Sequence, residues 1–152
     1  MAKPTKQDAE LLLELLEILG TPRFQEAYAW VMRDYSAANY DEFKQKYPEG
    51  TTEYNYVTRI LGFYEIVAVL ITHGLLNEDL FFDANFGLAQ VWTKLGPIIP
   101  KWREATGPSL WENVVWLVNR SEVWTKTVWK PDLKWKPGIT RETRAAKTTR
   151  KS

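Results

Sequence analysis

The chain has no cysteine, one histidine and two methionines among 152 residues. Without cysteine it can form neither a disulfide nor a thiolate metal site, so its stability has to come from a buried core. A reducing cytosol is the default compartment for such a chain, and an oxidising one is equally permitted. It has no glycine-rich phosphate loop, no nucleophile elbow and no zinc spacing. No run reaches 18 apolar residues; the best candidate, Ile60 to Leu76, is interrupted by Glu65 and His73 and reads as a buried helix. The opening "MAKPTKQDAELLLELLEILG" places acids inside its one apolar run, unlike a signal peptide. The expectation is a chain without a transmembrane segment, cytoplasmic or peripheral to a membrane, with no cofactor, no metal and no assigned catalytic residue.

What is present is the composition of an ordinary globular domain, with 45% hydrophobic and 26% charged residues. The length suits one domain able to bury roughly 68–70% of its unfolded surface. Eight tryptophans are unusual. The net charge of +1 hides a division. From Arg120 onward ten basic residues face three acidic ones, an excess of seven. Of the 20 basic and 19 acidic residues in the whole chain, residues 1–119 therefore keep 10 and 16, a net of −6. An acidic body and a basic tail suggest two parts, a helical domain over 1–128 and a tail over 129–152.

Helical signals dominate the body. Leu11, Leu12, Leu13, Leu15, Leu16, Ile18 and Leu19 make a broad apolar face that stops at Gly20. Thr21-Pro22 is a cap followed by proline at the first helical position, and Phe24, Ala27, Tyr28, Val31 and Tyr35 form the next stripe. "NYDEFKQKYPEG" reads as one or two helical turns. A central helix starts at Thr51 or Thr52 and runs to His73, with Gly74 beyond it. Asn77 caps a helix carrying Leu80, Phe81, Phe82, Leu88, Val91, Trp92 and Leu95. Pro97 and Pro100 then segment a short helix over 98–106. "SLWE" at 109–112 reads as a capping box for a last helix reaching about Thr125, with Trp111, Val115, Leu117 and Val118 in the core. The fold class is all-α: a single bundle of about five to seven helices around a central apolar helix near 52–73.

Within that central helix "GFYEIVAVLITHG" sets a question, because apart from Thr72 the one polar residue between Gly62 and His73 is Glu65. Val57, Ile60, Leu61, Tyr64, Val67, Ala68 and Ile71 cover one face, and Phe63, Ile66, Val69 and Leu70 make the rest apolar too. A carboxylate there needs a partner. The favoured reading is a buried ion pair with Arg103, with Arg59 and Arg120 as alternatives. The competing reading is a ligand-binding or catalytic pocket built from Glu65, Tyr64, Arg103 and Glu112. His73, eight residues along on another face, is accounted for by the helix end. Glu78, Asp79 and Asp83 are the acids expected of a helix's first turn rather than a cation site.

The segments "FYEIVAVLITHGLLNEDLFFDANFG", "VWTKLGPIIPKWRE" and "LWENVVWLV" together resemble a bacterial family of helical proteins catalogued as a domain of unknown function. The match covers about residues 10 to 120 and rests on Glu65, Trp92, Arg103 and Glu112. The resemblance implies a family in which some members look membrane-anchored through an N-terminal hydrophobic segment, and the expectation from the residues given is a departure from that pattern. The resemblance implies an all-helical fold and carries no activity.

The tail repeats Trp-Lys-Pro at 129–131 and 135–137 and loses its large apolar residues after Gly138. One reading folds Trp124, Trp129 and Trp135 back onto the body. The sharper reading is a docking arm of Trp129, Lys130, Lys134, Trp135, Lys136, Arg141, Arg144, Lys147, Arg150 and Lys151. Its partner would be a protein with an acidic surface; nucleic acid or an anionic membrane surface are the alternatives, and a homo-oligomer is compatible with the acidic body.

Overall fold

Short polar side chains start most of the helices, as the sequence predicts. The computed structural model describes residues 2–128, and the tail candidates from Trp129 to Lys151 lie outside the described residues. Thr21, Asn39, Thr51 and Asn77 each accept a hydrogen bond from the backbone N–H three positions on, at 2.9–3.4 Å. Thr5 and Asp8 form a reciprocal box, with Asp8 N–H donating to Thr5 Oγ1 (3.2 Å) and Thr5 N–H to Asp8 Oδ2 (2.7 Å).

The helices are α1 (Lys6–Leu19), α2 (Pro22–Arg33), α3 (Tyr40–Lys46), α4 (Thr52–Thr72), α5 (Glu78–Ala84), α6 (Leu88–Leu95), α7 (Ile99–Thr106) and α8 (Glu112–Thr127), of which the first five carry such a side-chain cap. A 3-10 turn over Gly96–Ile98 joins α6 to α7 without a break, so the described residues fold as seven helical rods and contain no strand. The all-α expectation holds. One boundary does not. The helix expected from Asn77 to Leu95 is split, because Asn85 (φ 52°) and Gly87 (φ 77°) adopt the left-handed conformation that these two residue types tolerate.

Central helix α4 packs most extensively on α2 and α8 and also on α6. Val57, Ile60, Leu61, Phe63, Tyr64, Val67, Ala68 and Ile71 are all buried. Burial of that set is worth on the order of 15 kcal/mol of transfer free energy before entropy is counted. By length and composition alone, α4 is also apolar enough to cross a bilayer, its 21 residues containing an 18-residue stretch of mean hydropathy 1.2. A core helix enclosed by three neighbours passes the same test. Helix α1 differs from its sequence reading. It lies at the edge, chiefly against α5 and α2, so Leu15 is buried while Leu13, Leu16 and Ile18 stay exposed.

Two carboxylates tie this edge together. Asp8 is buried, and its Oδ1 accepts the Asn77 N–H at 2.8 Å, pinning α1 to the start of α5. Glu78 accepts both Nε (2.7 Å) and Nη2 of Arg120, fastening α5 to α8. Hydrogen bonds from the Thr5 backbone and hydroxyl, aided by Asn77, hold the Asp8 carboxyl below its ordinary 3.8. The Arg120 hydrogen bond lowers Glu78 from its ordinary 4.5. Both folded values are depressed, so the native state resists protonation more than the unfolded chain. Their stabilisation is complete above those ordinary values and fades as the pH falls through the lower folded ones. Urea unfolding at a series of pH values should show stability dropping below about pH 4, with a shallower drop in Asp8→Asn. Parallel slopes for the two proteins would remove Asp8 from the account.

Candidate functional site

The loop between α7 and α8 decides what Glu65 meets. Leu110 N–H donates to the Gly107 carbonyl (3.2 Å) and Glu112 N–H to the Ser109 carbonyl (3.4 Å). Trp111 then takes φ 53° and ψ 23°, a left-handed conformation costly for a bulky side chain. Helix α8 therefore begins at Glu112, and the capping box expected between Ser109 and Glu112 does not form. Ser109 contributes its carbonyl instead, and Trp111 at the cap position offers no side-chain acceptor.

The missing acceptor comes from another helix. Glu65 Oε2 accepts the Val114 N–H at 2.9 Å; Oε1 accepts the Asn113 side-chain Nδ2 at 2.8 Å and the Asn113 backbone N–H at 3.4 Å. The carboxylate of α4 caps the N-terminus of α8 from across the interface. Unpaired N–H groups and the helix dipole together make such a terminus a site of partial positive charge, so a carboxylate fits it as a guanidinium's partner would.

The expected Glu65–Arg103 ion pair is thus corrected. Arg103 is half-buried, donates Nη2 to the Pro108 carbonyl and leaves Nε buried without a partner among the described residues. The other two guanidinium candidates are also engaged elsewhere: Arg59 Nη1 donates to the Arg23 carbonyl (3.4 Å) and Arg120 binds Glu78.

The remaining candidates have separate surroundings. Tyr64 is fully buried, and its hydroxyl donates to the Phe86 carbonyl at 2.6 Å. Desolvation, with the Tyr28 hydroxyl nearby, raises its pKa strongly. Trp92 on α6 is half-buried and covers Gly96, where an added Cβ would lie 2.9 Å from Trp92 Cε2. Glu112 is exposed at the first position of α8. It is Asn113, next to it, that touches Glu65, and the sequence reading missed it. Asp79 accepts the Trp124 Nε1–H at 2.8 Å, so that acid, like Glu78, serves a partner within the fold.

These features define an all-helical protein whose central carboxylate holds together two helices rather than facing a cleft. A family model, "Domain of unknown function (DUF4760)", matches residues 4–121. The chain belongs to this family. No curated protein and no solved structure matches the chain.

Removing the cap takes away the acceptor of the Asn113 and Val114 N–H groups, which lie part-buried at the α4–α8 contact. Glu65→Ala should cost about 2–3 kcal/mol in urea unfolding, and Glu65→Gln, which keeps one carbonyl acceptor, about half of that. In a double-mutant cycle Arg103→Ala should add independently to Glu65→Ala; a coupling of 1 kcal/mol or so would restore the ion pair. Gly96→Ala should cost about 1–3 kcal/mol by pushing against the Trp92 ring, and no loss would show that the ring yields freely.

Proposed function

We propose that this protein is a non-enzymatic helical interaction module, a scaffold whose basic tail over 129–152 docks onto the acidic surface of a protein partner. The observation that carries this reading is the charge division, −6 over residues 1–119 against +7 from Arg120 onward. Opposite charge separated along one chain suits electrostatic steering of a charged partner. Tryptophans beside lysines in the tail would add contact area to that attraction.

The engagement of Glu65 supports the same reading. Its oxygens accept three hydrogen bonds from α8, so the residue that would lead any proton-transfer scheme is committed to holding two helices. The competing pocket of Glu65, Tyr64, Arg103 and Glu112 would need these groups to converge, and each has its own partner or faces solvent.

The test uses the full chain and a variant with Lys130, Lys134, Lys136, Arg141, Arg144, Lys147, Arg150 and Lys151 changed to glutamine. Binding to poly-glutamate, single-stranded RNA and phosphatidylserine vesicles is measured at low and physiological ionic strength. The account expects salt-sensitive poly-glutamate binding that the variant loses. Equal binding by both proteins ends the docking-arm idea. Tighter binding to RNA or to vesicles replaces the protein partner with that one.

A further inference from the structure

Helix α8 buries Val114, Leu117 and Val118 and carries Trp116 outward between them. The Trp116 indole keeps 37% of its surface exposed and takes no part in the core. Arg120, four residues on, stands on the same face of the helix. Both line a cleft of about 640 Å³ that opens between residues 2–8, the end of α4, the connection into α5 and α8. Ile71 and Leu76 supply apolar wall, and the exposed Lys3 stands on its N-terminal side. That volume is in the range of small-molecule sites.

Hydrogen bonds of the fold itself fasten the walls. Asn77 Nδ2 donates to the Ala2 carbonyl (2.9 Å) and the Asn77 N–H to Asp8 (2.8 Å), which pins the segment carrying Lys3 to the connection into α5. Glu78 grips Nε and Nη2 of Arg120 and so fixes the plane of the guanidinium. The carboxylates of the cleft are thereby engaged, Glu78 by Arg120 and Asp8 by Thr5 and Asn77. What is left over is donors. Arg120 Nη1 has no acceptor among the described residues and is not enclosed, the side chain keeping 37% of its surface exposed. Lys3 Nζ and Trp116 Nε1 also lack an acceptor among the described residues, and neither group can accept a hydrogen bond itself.

We infer that this cleft binds a small organic anion with a planar ring, its oxyanion group held by Arg120 Nη1 and Lys3 and its ring laid on Trp116. A guanidinium oriented by a carboxylate suits an oxyanion, whether carboxylate or phosphate. An uncovered tryptophan face suits a flat apolar ring. The charges of Lys3 and Arg120 are offset by Asp8, Glu78 and the nearby Asp79, so the attraction acts at hydrogen-bond range and salt weakens it little. That separates the cleft from the basic tail, whose attraction for anions is salt-sensitive.

Nitrogen-15 spectra of the full chain resolve the tryptophan side-chain N–H signals, and the Trp116 signal is assigned by its disappearance in Trp116→Phe. The probes are 2-naphthoate, 2-naphthyl phosphate and the uncharged 2-naphthalenemethanol. Saturable movement of the Trp116 signal is expected with the carboxylate, the phosphate or both, which also identifies the oxyanion that fits. The uncharged probe should bind about tenfold more weakly or not at all. Calorimetry should show a loss of about tenfold in Trp116→Ala and in Arg120→Lys, which keeps a cation for Glu78 without Nη1, and about threefold in Lys3→Gln. Trp116 and Lys3 are exposed, so their variants keep the fold. The variant with eight tail residues changed to glutamine should bind as tightly as the unchanged chain. The inference fails if neither anion moves the signal, if the uncharged probe binds as tightly, or if any of the three cleft variants keeps full affinity. Loss of binding in the tail variant would overturn it too, by moving the anion site to the tail.

Discussion

The bond between the Glu65 carboxylate of α4 and the first N–H groups of α8 is the constraint on which the rest of this fold depends. A carboxylate half-buried among apolar side chains, as Glu65 is, costs free energy unless its lone pairs are filled. A helix N-terminus packed against another helix is costly unless the donors it turns inward find acceptors. Each solves the other's problem, and the solution fixes where α8 starts and at what height it sits on α4. Once α8 is placed, Trp111 has little freedom. The chain leaving α7 must turn sharply to bring Asn113 and Val114 to Glu65, and the left-handed Trp111 is that turn.

Around this centre the stability comes from apolar burial with a few polar fasteners at the edges. Cysteine is absent, and the core instead runs from Leu15 to Val118 through every helix, with aromatic clusters at Trp102 and at Trp30. The fasteners have a common form: a carboxylate accepting from backbone or guanidinium donors of another element. Asp8 does so for α5, Glu78 for Arg120 and Glu65 for α8. Helices with short connections and modest individual contact are thereby held in one register.

The parts of this architecture legible in the sequence are those that depend on residue type and spacing. Helix α4 is hydrophobic on all sides, and Thr21, Thr51 and Asn77 announce helix starts. The partner of Glu65 was not legible because its donors are backbone groups, which nearly every residue has, made available by the end of a helix. "SLWE" pointed to a local cap, but a capping box requires Ser109 at the helix start, and the left-handed Trp111 moves that start to Glu112. Apolar spacing continues at helical period through Asn85 and Gly87, which hid the break between α5 and α6. The leucines of α1 show which residues could be covered; which ones are covered depends on the helix lying at an edge.

The proposed reading, carried by the charge division, draws support from the same point, since the Glu65 oxygens already accept three hydrogen bonds from α8. The most direct measurement is scalar coupling across the hydrogen bond, in uniformly labelled protein, between the Val114 amide nitrogen and the Glu65 side-chain carboxyl carbon. The account predicts a correlation between those two nuclei. A Glu65 carboxyl that correlates instead with an Arg103 guanidinium nitrogen would contradict it, and so would one without a correlation to any donor in the protein.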